Sequence, residues 1–198
     1  MKTSTPNLVR ERFLNTLLEI SEQVKSNSRA IDISKVLELI DLIIKVDSNN
    51  GRIFIYGAGR SGFIGRCFAQ RLMHLDIKSC FVSDAVTYRY SKNDLLVLIS
   101  GSGETTSSKA IAEKAKRIGG KIVTLTGNSK SSIAKLSDLI INVEGKSKDI
   151  ATLKESLAPF TSLYDISTLS ILDSIGASLM VLLGISEKDI DGRHASIE

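Results

Sequence analysis

The sequence predicts an α/β protein built on a parallel sheet, and two observations support this fold class. Short apolar runs rich in β-branched residues alternate with segments of helical periodicity, and this alternation is typical of right-handed crossovers between parallel strands. Two of the runs end in a loop of glycine and serine that opens a helix. The predicted strands are 52–56, 79–82, 95–99, 121–126 and 139–143.

Two helices are expected before the first strand. Apolar residues recur at helical spacing from about Asn7 to Lys25 and again from Ser34 to about Val46. Ser34 is the expected N-cap of the second helix. Asn49-Asn50-Gly51 then ends the helical region with a turn signal.

Three helices are expected between the strands, at 61–75, at 105–118 and, as a short element, at 130–136. Gly119-Gly120 closes the second of them, in keeping with glycine just past a helix end. Residues 144–158 show little periodicity and are expected to form a mobile connection.

A long helix is expected from about Ser162 to Leu183, after Pro159. Apolar residues occupy most of its circumference, which predicts burial on two sides, within its own domain and against another subunit. We therefore expect one domain over residues 1–198, with N-terminal helices in 1–47, the α/β core in 51–143, and C-terminal helices and tail in 159–198.

Composition narrows the class of protein. The chain has 26 Lys and Arg against 22 Asp and Glu, and the basic residues are scattered, which does not favour nucleic-acid binding. Cys67 and Cys80 lack metal-binding spacing and are expected to be reduced thiols. The N-terminus lacks an apolar signal core, and we find no apolar run near the roughly 20 residues that span a bilayer. These features predict a cytoplasmic protein without a membrane partner.

The two glycine-serine loops are the most informative feature for function. They are Gly57-Ala58-Gly59-Arg60-Ser61-Gly62 and Ser100-Gly101-Ser102-Gly103-Glu104-Thr105. Glycine lets backbone N–H groups approach an anion closely, and the helix that follows directs its free N–H groups and positive dipole end to the same place. Both loops lie at the carboxyl ends of predicted strands, so we expect a site for a small phosphorylated molecule.

A dinucleotide site is an alternative interpretation of the first loop. Gly57-x-Gly59-x-x-Gly62 after a strand fits the fingerprint, and Asp84 follows at a distance suited to a ribose hydroxyl. Arg60 and Ser61 lie where the backbone should close around a pyrophosphate, and the fingerprint has no place for the second loop. NAD binding therefore stays open as the weaker hypothesis.

Four segments are informative together: Gly59-Arg60-Ser61-Gly62, Arg71-Leu72-Met73-His74-Leu75, Ser100–Thr105 and the terminal Arg193-His194. In combination they resemble the sugar isomerase (SIS) domain family, and within it the 6-phospho-3-hexuloisomerases. The resemblance implies a five-stranded parallel sheet in a three-layer αβα sandwich of flavodoxin-like or Rossmann-like topology, assembled as dimers or tetramers. It also implies interconversion of D-arabino-hex-3-ulose 6-phosphate and fructose 6-phosphate, a step of the ribulose monophosphate pathway, without metal or organic cofactor.

The resemblance also implies site residues. The family's phosphate cradle matches Ser100, Gly101, Ser102, Gly103, Glu104 and Thr105, with Glu104 expected to point away from the phosphate dianion. Ser61 matches a substrate-binding position. Structural interpretations stay open: a glycine-rich turn with Thr105 as N-cap, and Ser61 as an N-cap. Arg60 is expected to pair either with phosphate or with a neighbouring carboxylate.

The catalytic base implied by the resemblance is the glutamate that ends a Pro-Met-Gly-Thr-x-Phe-Glu segment. Here the segment reads Pro159-Phe160-Thr161-Ser162-Leu163-Tyr164-Asp165, so Asp165 is the matching carboxylate, one methylene shorter. Thr161 in place of glycine is expected to restrict a turn with positive φ or to narrow the pocket. Asp165 is alternatively a first-turn acid that complements the helix dipole.

Two histidines complete the set of candidates. His194 matches the family's terminal histidine, and the resemblance implies that it assists ring opening or orients a hydroxyl, either in its own subunit or across a subunit boundary. The alternative is that residue 194 belongs to a frayed tail. His74 is expected to cap the last carbonyls of its helix. A metal site built from these two distant histidines is not expected.

The leading hypothesis is therefore an isomerase of a 3-hexulose 6-phosphate that works through an enediolate. Three alternatives stay open: a sugar-phosphate sensor on the same fold, an isomerase of an arabinose or heptose phosphate, and a dinucleotide-binding protein.

Overall fold

The computed structural model describes residues 5–145, 156–194 and 196. A five-stranded sheet forms its centre, in the order β2-β1-β3-β4-β5, and every neighbouring pair is parallel. The strands are β1 (Ile53–Gly57), β2 (Ser79–Phe81), β3 (Leu95–Ile99), β4 (Lys121–Thr126) and β5 (Leu139–Asn142). This confirms the predicted fold class, and each strand lies within one residue of its predicted bounds.

Helices flank the sheet on both faces. They are α1 (Thr5–Ala30), α2 (Ile33–Ser48), α3 (Arg60–His74), α4 (Thr106–Ile118), α5 (Ser162–Leu183) and α6 (Glu187–Gly192). Of the short helix predicted at 130–136, only a 3₁₀ turn at Ala134–Leu136 forms. The predicted loose connection at 144–158 lies mostly outside the described residues.

The N-cap of α2 is Asp32 and not the expected Ser34. The Asp32 side chain accepts hydrogen bonds from the backbone N–H groups of Ser34 and Lys35, at 3.1 and 3.4 Å. A carboxylate at this position satisfies two of the free donors of the first turn and complements the helix dipole. Two other predicted boundaries behave as expected: Gly119 ends α4 in the left-handed region, and Asn50 turns the chain at φ 59° after α2. Helix α1, in contrast, ends at Ala30, five residues after the predicted Lys25.

The core consists of two layers, one on each face of the sheet. Alternate residues of a strand point to opposite faces. Ile53 and Ile55 therefore pack with the layer under α2, α3 and α5, whereas Phe54 packs with the layer under α4. This arrangement is the three-layer αβα sandwich.

The strand order creates a crevice between β1 and β3. The chain passes from β1 to β2 on one side and then returns to place β3 on the other side of β1. In open parallel sheets ligands bind at such a switch point, outside the carboxyl ends of the strands. The two glycine-serine loops follow β1 and β3 and therefore meet at this crevice.

Helix α5 corrects the expectation that no apolar run approaches the length of a bilayer. Its 22 residues include an 18-residue window of mean hydropathy 1.8, so its length and composition suffice to cross a membrane. A third of that window is buried within the chain, and α5 packs against α3 and α1. Because a buried carboxylate, Asp165, lies in its first turn, we interpret α5 as a core helix with one uncovered side.

Candidate active site

A cavity of about 300 Å³ opens at the carboxyl ends of β1 and β3. Three segments form its wall: the loop after β1, the loop after β3, and the chain that enters α5. The lining residues are Ala58, Gly59, Arg60, Ser61, Ile99, Ser100, Gly101, Ser102, Thr105, Phe160, Thr161, Tyr164 and Asp165.

Three helices, α3, α4 and α5, begin at this cavity. Their N-caps are Gly59, Thr105 and Thr161, and none of these residues caps its helix with a side-chain hydrogen bond. The alternative interpretation of Ser61 as an N-cap is wrong, since α3 already starts at Arg60 and its N-cap is Gly59. Free N–H groups and positive dipole ends thus converge on one cavity, which is the arrangement that binds anions.

The loop after β3 is folded on its own hydrogen bonds. The backbone N–H of Gly103 donates to the carbonyl of Ser100 at 3.1 Å, and the N–H of Glu104 donates to Ser102 Oγ at 3.2 Å. Ser100 Oγ lies 3.5 Å from Thr105 Oγ1, which brings two hydroxyls together at the cavity wall. This loop presents the small, hydroxyl-rich surface that a phosphate group requires.

Glycine is required at Gly103 for two reasons. Its φ is +66°, and a Cβ on it would overlap the hydroxyl of Ser131. Neither Gly103 nor Glu104 lines the cavity.

The Glu104 carboxylate points to the far side of its loop. It accepts a hydrogen bond from the backbone N–H of Ser132 at 2.7 Å. This hydrogen bond holds the pKa of Glu104 below its usual range. The carboxylate is therefore directed away from the cavity, as expected, and its hydrogen bond to Ser132 links the loop to the segment that contains Ser132.

Asp165 is the buried carboxylate of the cavity, with 3% of its surface exposed. Its Oδ2 accepts from Thr161 Oγ1 at 2.7 Å and from Arg60 Nε at 2.9 Å, and Ser61 Oγ lies 3.4 Å from its Oδ1. Of the two partners expected for Arg60, the structure shows the carboxylate. A buried charge needs such donors, and here they come from both the first loop and the start of α5.

Tyr164 and Phe160 belong to the site, and sequence reasoning missed both. Tyr164 is fully buried, donates its hydroxyl to the carbonyl of Leu125 at 2.8 Å, and lies with its ring against Gly101. Burial raises the pKa of its phenol. Phe160 stays 57% exposed at the cavity. The available signal was that both residues lie in the segment that resembles the family's catalytic motif, beside Asp165.

His194 does not reach the cavity of its own chain. Its ring stacks on His74, with 5.3 Å between ring centroids, at the far end of α3. That helix has 15 residues, so roughly 21 Å separates its two ends. The implied role of His194 therefore has no support within a single chain.

His74 is not the helix cap that the sequence suggested. The Nδ1 atom of its buried ring has no hydrogen-bond partner among the residues that the structure describes. Arg193 takes the capping role instead and donates to the carbonyl of His74 at 3.0 Å. Burial, followed by the neighbouring His194 and Arg71, lowers the pKa of His74.

The dinucleotide hypothesis gains nothing from the structure. Asp84, its proposed ribose ligand, lies outside the cavity lining and pairs with Arg66 at 2.7 Å. Within the described part of the chain, no group of three metal-ligating side chains comes together.

Comparison with known proteins agrees with the fold. A model of the SIS domain matches residues 48–170, which include every segment of the cavity wall. A Methanocaldococcus jannaschii protein named 3-hexulose-6-phosphate isomerase is 41% identical over 164 residues, covering 83% of this chain and 84% of the relative. A Bacillus subtilis protein of the same name is 34% identical over 181 residues, covering 91% of this chain and 96% of the relative.

A solved structure also has the same fold as this chain. It is a crystal structure from Methanococcus jannaschii, for which a function of 3-hexulose-6-phosphate isomerase was inferred. Its TM-score with this chain is 0.79 at 37% sequence identity, over 92% of this chain and 98% of the other. From the family match and these relatives we conclude that the chain belongs to the SIS domain family.

Proposed function

We propose that this protein is a 6-phospho-3-hexuloisomerase, which interconverts D-arabino-hex-3-ulose 6-phosphate and fructose 6-phosphate. The observation that carries the proposal is one cavity with a buried carboxylate on one wall and a glycine-serine loop at a helix N-terminus on another. The names of relatives at 34–41% identity support the choice of substrate.

The phosphate group is assigned to the loop after β3. Ser100, Ser102 and Thr105 supply hydroxyl donors, and the free N–H groups of the first turn of α4 complete the cradle. The dianion interacts favourably with the positive end of the α4 dipole. Binding at this end of the cavity leaves the sugar chain to extend towards α5.

Asp165 is assigned as the base that moves one proton between neighbouring carbons. It removes the proton from C2 of the open-chain 3-hexulose, whose C3 carbonyl becomes an enediolate oxygen, and returns a proton to C3 as the C2 carbonyl forms. One C–H bond breaks, one forms, and the hydroxyl proton changes oxygen, so the reaction needs no external oxidant or reductant. The proposal therefore includes no cofactor.

Self-association is part of the proposal because α1 leaves large apolar side chains exposed to solvent in a single chain. Two of its polar residues bond to its own chain: Arg12 donates to the carbonyl of Leu157 at 2.8 Å, and Asn27 donates to that of Glu144 at 2.7 Å. Ile20 and Val24 are half-buried, but six other apolar residues of α1 are each at least half exposed. They are Leu8, Val9, Phe13, Leu14, Leu17 and Leu18.

His194 enters the proposal only through this assembly. Since it lies at the far end of α3 from its own cavity, a role in ring opening would place it at the cavity of a neighbouring subunit. Dimers and tetramers both satisfy this requirement.

The experiment is a coupled assay that detects fructose 6-phosphate formed from the 3-hexulose 6-phosphate. Arabinose 5-phosphate and a heptose 7-phosphate serve as competing substrates under the same conditions. Turnover of the hexulose in clear preference to both supports the proposal. Turnover of another phosphosugar alone would replace the substrate, and thermal stabilisation by phosphosugars without any turnover would indicate a sensor.

A further inference from the structure

Thr161 has a backbone conformation that threonine rarely adopts. Its φ of 63° and ψ of −8° lie in the left-handed region, which is unfavourable for a β-branched residue. The residue stands at the N-cap of α5, yet its side chain caps nothing. Backbone strain of this kind is found at functional sites, where the surrounding structure maintains it.

The Thr161 hydroxyl is used elsewhere, on the carboxylate of Asp165. Thr161 Oγ1 donates to Oδ2 at 2.7 Å, and Arg60 Nε donates to the same oxygen at 2.9 Å. The other oxygen, Oδ1, has only the longer 3.4 Å contact with Ser61 Oγ. The two carboxylate oxygens therefore have different environments, one held by two donors and one weakly held within the cavity wall.

We infer that Thr161 and Arg60 are positioning residues that hold Oδ2 of Asp165 and leave Oδ1 as the atom that takes and returns the substrate proton. This inference rests on the proposed function. In the step, the C–H bond breaks as an O–H bond forms on Oδ1, and the same proton or an exchanged one then passes to the neighbouring carbon. A carboxylate held at one oxygen cannot rotate out of line between the two transfers, which preserves the reactive geometry.

The same contact explains how an aspartate serves at this position. The related motif has glycine and glutamate where this chain has Thr161 and Asp165. Here the threonine hydroxyl fills the space beside the shorter acid, at hydrogen-bonding distance. A glutamate at 165 would compete with that hydroxyl for the same space, so the identities of the two residues are coupled.

The experiment compares Thr161→Val, which keeps the branched shape and removes the donor, with Thr161→Ser, which keeps the donor. For T161V we expect kcat to fall by about 10- to 100-fold, with KM within threefold of the wild type. For T161S we expect kcat within threefold of the wild type. A structural role alone would lower the melting temperature of T161V without this separation of kcat from KM, and a T161V enzyme with wild-type kcat would overturn the inference.

A double-variant cycle tests the coupling and stays informative if T161V folds poorly. D165E and T161G are each expected to lower kcat. The kcat of T161G/D165E is expected to be at least tenfold higher than the value obtained by multiplying the two single losses. Independent effects of the two changes would overturn the inference. D76G is the matched control for relief of positive φ, because Asp76 has φ 63° beyond the far end of α3, and its kcat is expected to stay at the wild-type value.

Turnover by the wild-type protein distinguishes a failure of the positioning role from a failure of the proposed function. Wild-type turnover with unaffected T161V overturns the positioning role alone, whichever phosphosugar is the substrate. A wild type that turns over no phosphosugar overturns both the proposed function and this role.

Discussion

At the scale of single residues, Asp165 is the group on which the proposed chemistry depends. Replacing it with asparagine keeps the size of the side chain and removes the base, so we predict that D165N loses about 10²- to 10⁴-fold in kcat. The side chain of Asp165 is hydrogen-bonded to Arg60, Ser61 and Thr161 and not to the phosphate loop, so affinity for fructose 6-phosphate is expected to stay within threefold. Steady-state kinetics and calorimetric titration measure the two quantities, and an equal loss of both would contradict the assignment.

His74 makes stability depend on pH in a defined window. Its ring is buried, and its pKa in the folded protein is lowered from the ordinary 6.5, first by burial and then by the nearby His194 and Arg71. As pH falls through 6.5, the unfolded chain binds a proton that the folded chain resists. The contribution to stability is therefore complete above pH 6.5 and decreases below it.

We predict that the free energy of unfolding decreases from pH 7 to pH 5.5 with a slope that H74N reduces. Urea denaturation at several pH values measures this slope. H194N serves as the second variant, since removing the neighbouring charge is expected to reduce the slope less than H74N does. Equal slopes in H74N and the wild type would show that His74 does not titrate as argued.

Sequence patterns located much of the site but not its internal contacts. Ser61, Ser100, Ser102 and Thr105 line one cavity, because parallel strands bring the loops at their carboxyl ends together. Asp165, which the family resemblance indicated, lines the same cavity from the first turn of α5. Their catalytic and binding roles stay predictions. The turn with positive φ at Thr161 was anticipated from the glycine of the related motif, and the structure has it at φ 63°. The contact of the Thr161 hydroxyl with Asp165 was not predicted, because the related motif has no side chain at this position to indicate it.

At the scale of elements, the phosphate loop depends on Gly103. Gly184, the C-cap of α5, serves as its control. Gly103 and Gly184 have nearly the same φ, +66° and +65°, but a Cβ meets Ser131 at Gly103 and open space at Gly184. We predict that G184A costs about 1 kcal/mol, for the left-handed conformation alone. G103A is expected to cost about 1–3 kcal/mol more, because the buried Ser131 must move.

The same pair of variants tests the function of the loop. G103A is expected to weaken fructose 6-phosphate binding at least tenfold, whereas G184A keeps wild-type affinity. Urea denaturation and calorimetric titration measure the two effects. Equal losses of stability and affinity in both variants would contradict the assigned role of the loop.

Elements were predicted well where local pattern decides them and less well where distant contacts do. The strands are short apolar runs bounded by turn residues, and the sequence places them within one residue. Helix α1 extends five residues beyond the predicted Lys25, and its last turns bury Asn27, which bonds the backbone of Glu144 through both ends of its amide. Local periodicity does not predict the contact between Asn27 and Glu144, because the two residues are 117 positions apart in the sequence.

At the scale of the whole molecule, the uncovered face of α1 predicts assembly. Phe13 and Leu17 lie on this face with 67% and 55% of their surfaces exposed. We predict that the wild type sediments as a dimer or tetramer at micromolar concentration and that F13E/L17E shifts it towards monomer. N15E, an exposed polar position on the same helix, is the control and is expected to keep the wild-type assembly. A wild type that sediments as a monomer would remove this part of the account.

The overall architecture followed from the sequence because every level of pattern agreed, from strand composition to the loops that follow β1 and β3. The position of the C-terminal tail did not. His194 resembles an active-site residue by its motif, but it packs against His74 at the opposite end of α3. Its reach to any cavity is decided by assembly, which one sequence does not specify.

The central claim is that Asp165 exchanges a proton with a carbon of the phosphosugar, and hydrogen exchange tests it most directly. Fructose 6-phosphate carries a hydrogen on C3 that an enediolate mechanism must remove, so we would incubate it with the protein in deuterium oxide and follow C3 by NMR. The account predicts loss of the C3 proton signal with the wild type and none with D165N. Retention of that proton with no 3-hexulose 6-phosphate formed, or exchange that continues in D165N, would contradict it.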